Sequence, residues 1–147
     1  MDKNFKNEVM ARPGGENLSL CYSCGSCTAT CPVAELDDTF NPRVMIKKTL
    51  LGFKEEVLNN DDLWKCIQCR RCVSHCPQNV RFADIIRVLR DLSVEEGYYS
   101  EELLDEVSNF DKDLLNVRIQ TVSDHINEGK DFDEVLNKVN SGGDKNG

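Results

Sequence analysis

The sequence lacks the features that would assign it to several common functional classes. Acidic residues outnumber basic ones, 26 to 18, so a formal charge of -8 leaves no basic excess for binding nucleic acid. No stretch reaches the roughly 18 to 20 apolar residues of a membrane-spanning helix. The first residues, MDKNFKNEVMARPGG, lack the apolar stretch of a secretory signal. These absences predict a soluble, cytoplasmic protein without a membrane span.

Recognisable catalytic motifs are missing as well. The sequence has no GxGxxG or P-loop motif for nucleotides and no HExxH motif for a catalytic zinc. It also offers no Ser/His/Asp set and no paired carboxylates with an obvious task. No substrate site is therefore predicted, and the sequence leaves open whether the chain is itself an enzyme.

Cysteine, in contrast, is abundant and unevenly placed. All eight cysteines fall in two short runs, CYSCGSCTATCP from Cys21 and CIQCRRCVSHCP from Cys66. Both runs have the spacing C-x2-C-x2-C-x3-C-P, although the residues between the cysteines differ almost completely. In a reducing compartment such clustered thiols indicate metal ligands and not disulfides.

This spacing is typical of proteins with two iron–sulfur clusters, in which the fourth cysteine of each run binds the other run's cluster. We therefore predict two [4Fe-4S] clusters with crossed ligation. The predicted ligands of cluster 1 are Cys21, Cys24, Cys27 and Cys76, and those of cluster 2 are Cys66, Cys69, Cys72 and Cys31. The alternative is a pair of four-cysteine zinc sites, which also use C-x2-C pairs. Zinc explains neither the third and fourth cysteine of each run nor the repeated proline.

Charge and turn signals divide the chain into three predicted parts. Residues 1–16 are an N-terminal arm with a Pro-Gly-Gly turn, and residues 17–97 hold both cysteine runs. Residues 98–147 form an acidic helical extension whose end, SGGDKNG, is expected to be disordered. Residues 1–97 are nearly neutral, with 14 acids and 13 bases, whereas residues 98–147 have 12 acids and 5 bases. We predict that this acidic extension docks on a partner; the alternative is that it folds back on residues 83–92 and that its acids keep the subunit soluble.

Apolar periodicity predicts a mostly α fold without a regular sheet. One helix is expected from Pro42 to about Leu58, with Asn41 as its cap and Pro42 in its first turn. Another is expected over residues 83–92, with Ile85, Val88, Leu89 and Leu92 on one face. The extension shows three short stripes: Leu103, Val107, Phe110 and Leu114; Ile119, Val122 and Ile126; and Phe132, Val135, Leu136 and Val139. The segment NVRIQTV could equally pair as a strand.

Four segments resemble the C subunit of heterodisulfide reductase: LSLCYSCGSCTATCP, NPRVMIKKTLLG, DDLWKCIQCRRCVSHCP and ADIIRVLRDL. The resemblance covers roughly residues 17 to 95, about half of the chain. The 35-position step from Cys31 to Cys66, with a helix inside it, is similar to an alpha-helical ferredoxin such as the iron–sulfur subunit of succinate dehydrogenase. The resemblance implies an alpha-helical ferredoxin domain with two [4Fe-4S] clusters, followed by the helical acidic extension.

The resemblance also implies a function and partners. In that family, the C subunit relays electrons between a flavin-containing A subunit, on one side, and a B subunit with CCG motifs, within a hetero-oligomeric complex. This sequence has no CCG motif, and the match transfers the eight cysteines as ligands but no catalytic residue. Two alternatives stay open: the iron–sulfur subunit of another dehydrogenase, of succinate, glycolate or glycerol-phosphate type, and a zinc-binding interaction module. The absence of a fused CCG domain counts against the first of these.

Overall fold

The computed structural model describes residues 1–129, 131–134 and 137. Within these ranges the helices are α1 Phe5–Met10, α2 Ser26–Ala29, α3 Pro32–Leu36, α4 Pro42–Leu51, α5 Lys54–Leu58, α6 Asp62–Lys65, α7 Arg71–Ser74, α8 Phe82–Glu95 and α9 Glu101–Glu128, and a 3₁₀ turn spans Leu18–Leu20. No strand occurs in these described ranges, and the mostly α prediction is confirmed. The chain divides into two compact units, Met1–Leu104 and Asp105–Gly147.

Helix α8 forms the centre of the first unit. Its predicted stripe of Ile85, Val88, Leu89 and Leu92 is buried, as expected. The helix is longer than the predicted range of 83–92, and it packs against α1, α5, α6 and α7. Because neighbours surround it, Ile86 and Ser93 on other faces are buried too, and Ser93 donates a hydrogen bond to the Leu58 carbonyl. Through its contact with α7, this buried helix positions the second cysteine run.

Helix α4 begins as predicted but ends earlier. The Asn41 side chain accepts a hydrogen bond from the Val44 amide at 3.1 Å, and Pro42 occupies the first turn. The helix stops at Leu51, so the single helix predicted to Leu58 is wrong, and α5 starts after a two-residue break. Gly52 makes the break, because its backbone is left-handed (φ +81°) and a side chain there would collide with the Asp2 carbonyl.

The segment predicted as an N-terminal arm packs against the rest of the first unit. Phe5 and Val9 of α1 are fully buried in the core. Two ion pairs hold the same segment: Lys54 Nζ lies 2.9 Å from a Glu8 carboxylate oxygen, and Arg12 donates a 2.6 Å hydrogen bond to Glu95. The arm is therefore tied to α5 and α8 by apolar burial and by charge.

One long helix takes the place of the first two short helices predicted in the extension. Helix α9 runs without interruption for 28 residues, so the first two predicted stripes share it and NVRIQTV is helical. No glycine or proline occurs between Glu101 and Glu128 to end the helix. No residue of α9 is buried, and Phe110, Leu114, Leu115, Ile119 and Ile126 are exposed.

Part of the extension lies outside the described residues. This applies to the third stripe beyond Phe132 and to the end segment SGGDKNG. No helix in the described ranges combines the length and the apolar character that crossing a bilayer requires.

Candidate metal centre

The two cysteine runs fold in the same way. Cys21 and Cys66, the first cysteine of each run, have nearly identical backbone angles (φ/ψ -69°/117° and -68°/118°). Gly25 and Arg70, the residues after the second cysteines, are both left-handed, with φ of +88° and +61°, and each precedes a four-residue helix. Equal spacing thus yields an equal backbone, although the side chains between the cysteines differ.

Contact between the short helices α2 and α7 brings the two runs together. Two cavities result, each with a mixed set of thiols. The first cavity is lined by five cysteines, Cys21, Cys24, Cys27, Cys72 and Cys76. The second cavity is lined by Cys31, Cys66, Cys69 and Cys72, so Cys72 lines both cavities. Phe82 borders both cavities.

The donor set fits a cubane cluster in each cavity. All eight cysteines are free thiols; the first cavity receives three from the first run and two from the second, and the second cavity three from the second run and one from the first. In the part of the chain that the structure describes, no three His, Cys, Asp or Glu side chains lie close enough together for a single metal ion. A cubane does not require such a group, since each thiolate binds a different iron. His75, next to Cys76, lines neither cavity and contacts the Arg71 carbonyl.

The thiols differ in their electrostatic surroundings. Burial raises the pKa of Cys27, Cys66 and Cys72, that of Cys72 to about 11. Hydrogen bonding to Ser26 lowers the pKa of the exposed Cys24. Because iron binds thiolates, the buried thiols must release their protons when a cluster is inserted. Polar groups also reach the sulfurs: the Val80 amide donates to Cys76 Sγ at 3.4 Å, a contact of the kind that tunes cluster potential.

Several functional neighbours of the cysteines were not predicted. Arg43 of α4 lines the first cavity and Arg70 the second, and Arg70 pairs with Asp84 of α8. In the sequence, Arg70 flanks the second run, where three interpretations were open: it raises the potential of the cluster, it docks an acidic partner, or, the usual interpretation, it is a solvated surface charge. Arg43 lies in the NPR segment that carried the family resemblance, so a signal for it existed. No local pattern links Arg70 to Asp84, because the helix that brings them together depends on the tertiary fold.

Arg90 of α8 fixes the chain just before the second run. Its guanidinium donates to the carbonyls of Leu63 at 2.7 Å and Cys66 at 2.8 Å, and it lies 5.4 Å from the Trp64 ring centroid. Arg90 is 7% exposed, so these carbonyls have little access to water. One buried cation thereby satisfies the backbone groups that end α6 and begin the cysteine loop.

We expect Arg90→Met to destabilise the protein by about 3 kcal/mol, because hydrogen bonds from a charged donor to buried carbonyls are lost. In anaerobic urea unfolding of the cluster-loaded chain, the midpoint should fall by about 1 to 2 M. The control is Arg87→Met on the exposed turn of the same helix, which should change the midpoint little. Equal midpoints for the two variants would contradict a structural role of Arg90.

Known proteins with similar sequences share this cysteine-bearing part. Residues 17–80 match the family model described as "4Fe-4S dicluster domain". Over 104 residues the chain is 36% identical to the C2 subunit of the H(2)/formate:CoB-CoM heterodisulfide,ferredoxin reductase of Methanococcus maripaludis, a match that covers 66% of this chain and 55% of that relative. Over 97 residues it is 36% identical to the glycolate oxidase iron-sulfur subunit of Escherichia coli, covering 63% of this chain and 24% of the relative.

A further relative carries a similar name. The C subunit of the H(2):CoB-CoM heterodisulfide,ferredoxin reductase of Methanothermobacter marburgensis is 32% identical over 98 residues, 67% of this chain and 52% of the relative. The chain spans about half the length of these heterodisulfide reductase subunits. The matches confirm the family resemblance, and the dicluster domain with its eight cysteines confirms two [4Fe-4S] clusters. Over this part of its length the chain is similar to the C subunits of heterodisulfide reductases.

Proposed function

We propose that this protein relays electrons through two [4Fe-4S] clusters between two other subunits of a heterodisulfide-reductase-like complex, one that contains flavin and a catalytic one with CCG motifs. The observation that carries the proposal is the pair of cavities, each lined by at least four cysteines drawn from both runs. Four thiolates fill all four iron corners of a cubane, so neither cluster keeps an open iron for a substrate. Such clusters exchange electrons and leave bond chemistry to other subunits.

The crossed assignment belongs to this proposal. Cys21, Cys24, Cys27 and Cys76 hold cluster 1, and Cys66, Cys69, Cys72 and Cys31 hold cluster 2. The mixed lining of both cavities supports the assignment, and so does the contact between α2 and α7. Each cavity also has one exposed cysteine, Cys24 in the first and Cys69 in the second. A relay needs one cluster near the surface for electron entry and another for exit, and this arrangement offers both.

The partners follow from the relatives' names. Proteins named as one lettered subunit imply others, so we propose a hetero-oligomeric complex. Its other members are a flavoprotein similar to the family's A subunit, together with a CCG protein similar to its B subunit. We place the complex in the cytoplasm, where a reducing environment keeps eight clustered thiols available for iron.

A second candidate is the iron–sulfur subunit of another dehydrogenase. The 36% identity to the E. coli glycolate oxidase iron-sulfur subunit favours it. That match covers only 24% of the relative. In that case a CCG-containing protein is either a separate chain of the complex or absent from it.

Anaerobic co-purification of the native complex tests the proposal. We expect the untagged partners to include one protein with bound flavin and one with CCG motifs, both identified by mass spectrometry. The complex should reduce a heterodisulfide to its two thiols with electrons from a carrier at the flavoprotein, or oxidise the two thiols to the heterodisulfide in the reverse direction. Recovery of a 2-hydroxy-acid dehydrogenase instead would favour the second candidate and contradict the first.

A further inference from the structure

The two cysteine loops differ most at one equivalent position. Directly after the second cysteine, the first loop has Gly25 and the second loop has Arg70, and both residues have a left-handed backbone. Glycine adopts this conformation freely, whereas a residue with a Cβ does so at a cost. Arginine at this position is therefore unfavourable for the backbone, and a contribution from its side chain would explain its presence. Arg70 lines the second cavity.

A buried carboxylate holds that side chain. Arg70 donates to both Asp84 oxygens, at 3.0 and 3.1 Å, and Arg81 Nε donates to one of them at 2.7 Å. Asp84 is only 8% exposed. Gly14 lies against it so closely that a Cβ on Gly14 would be 3.0 Å from the Asp84 Cβ. The Pro-Gly-Gly turn of the N-terminal segment thus packs on the Cβ and backbone of Asp84, whereas the side chain of Arg70 is 47% exposed.

The ion pair balances charge next to the second cavity. Burial raises the pKa of Asp84, but the hydrogen bonds and charges of Arg70 and Arg81 outweigh burial and lower it below its usual value. Asp84 is therefore ionised at neutral pH and offsets the charge of Arg70. The other charged neighbours are Glu16, which lies near Arg81 and Asp84, and Arg90 at the Cys66 carbonyl.

The first cavity has no such balance. Arg43 lines it, and a Cβ on Gly25 would lie 3.8 Å from an Arg43 guanidinium nitrogen. Among the described residues, Arg43 makes no ion pair with a carboxylate. Each cavity thus faces one lining arginine, but only the arginine at the second cavity is paired. A cation near a cluster stabilises the reduced form and raises its potential, and a carboxylate acts in the opposite direction.

We propose that Asp84 is a positioning residue that holds Arg70 at cluster 2 and lowers the reduction potential of that cluster by offsetting the arginine's charge. The proposal rests on the ligand assignment above. It predicts that the two members of the pair act in opposite directions. Asp84→Asn, which removes the negative charge at nearly constant shape, raises the potential of cluster 2. Arg70→Gly, which copies the first loop, lowers it.

The test is a redox titration followed by EPR spectroscopy on the full chain loaded with both clusters. We expect Asp84→Asn and Arg70→Gly to shift the same component, one upward and the other downward, and the double variant to lie between them. Arg43→Gln should lower the other component. Arg87→Gln is the matched control, because it removes one positive charge from an exposed position on α8 that lines neither cavity.

The outcomes separate this proposal from the proposed function. Shifts in the same direction for Asp84→Asn and Arg70→Gly, or shifts no larger than that of Arg87→Gln, overturn the role of Asp84 while the clusters remain. If Asp84→Asn fails to bind clusters, Arg70→Gly decides alone, and an unchanged potential overturns the proposal. An unsubstituted chain without two cubanes, shown by its iron and sulfide content, contradicts the proposed function itself.

Discussion

Cys76→Ser is expected to damage the cluster held by the first cysteine run, which is distant in sequence, and to spare the cluster of its own run. Cys76 lines the first cavity together with Cys21 and Cys24. Serine is a poorer ligand for iron than cysteine, so the cluster loses one iron or dissociates. The unsubstituted chain should contain about eight irons and eight sulfides, and the variant about one to four irons fewer. Anaerobic iron and acid-labile sulfide assays measure the loss.

Two variants within the runs make this prediction decisive. Cys24→Ser and Cys69→Ser change the exposed cysteine of each run, where structural damage is smallest. If ligation is crossed, the EPR spectrum of Cys76→Ser matches that of Cys24→Ser, and the spectrum of Cys31→Ser matches that of Cys69→Ser. The reverse pairing would contradict crossed ligation. Stoichiometric zinc without sulfide in the unsubstituted chain would contradict the clusters altogether.

Crossed ligation also has a structural consequence. Each cavity needs thiols from both runs, so neither half of residues 21–77 can complete a site alone. The contact between α2 and α7 is then maintained by the clusters as well as by packing. Loss of one cluster should loosen this contact and weaken retention of the other cluster. We therefore expect a second, slower loss of iron to follow the loss of the first cluster.

The parts of the fold that local patterns determine were predicted from the sequence. The buried stripe of α8 follows from apolar periodicity, and the start of α4 follows from the capping of Asn41 and the placement of Pro42. The eight cysteines that line the two cavities were singled out by their spacing, and their roles as ligands stay a prediction. In each case the residues that decide the structure are close together in sequence.

The parts that were missed depend on distant residues. The end of α4 is set by Gly52, whose close approach to Asp2 near the start of the chain is invisible in the local pattern. The pairing of Arg70 with Asp84 needs α8 to be folded over the cysteine loop. The length of α9 was missed for a different reason. Its apolar stripe moves to another face of the helix near Leu115, and in a sequence such a shift resembles the end of one helix and the start of the next.

Helix α9 is acidic and also carries exposed apolar side chains, and this combination needs an explanation. Residues 101–128 carry 8 acidic and 2 basic residues, and Phe110 is 61% exposed. The apolar positions form two stripes, one through Val107, Phe110 and Leu114 and the other through Ile119 and Ile126. Amphipathic helices of this kind bind apolar grooves of partners. The acidic charge disfavours pairing with a second copy and favours a groove lined with basic residues.

Truncation after Leu104 is therefore expected to keep both clusters and to abolish most of the affinity for the partner proteins. This end point retains Tyr99, which hydrogen-bonds Asp61 at 2.8 Å and packs on Trp64 within the first unit. The iron content should stay at about eight per chain. Binding to the co-purified partners should weaken about tenfold or more, and the loss should shrink as salt is raised from roughly 0.05 to 0.5 M.

A full-length pair of variants separates docking from stability. Phe110→Ala with Leu114→Ala removes exposed apolar side chains from one stripe and should reproduce much of the lost affinity without any loss of iron. Asn109→Ala changes an exposed polar residue of the same helix and should bind partners normally. If the truncated chain instead loses iron or precipitates, residues 105–147 stabilise the cluster-bearing unit. Unchanged affinity in the truncated chain would exclude docking through α9.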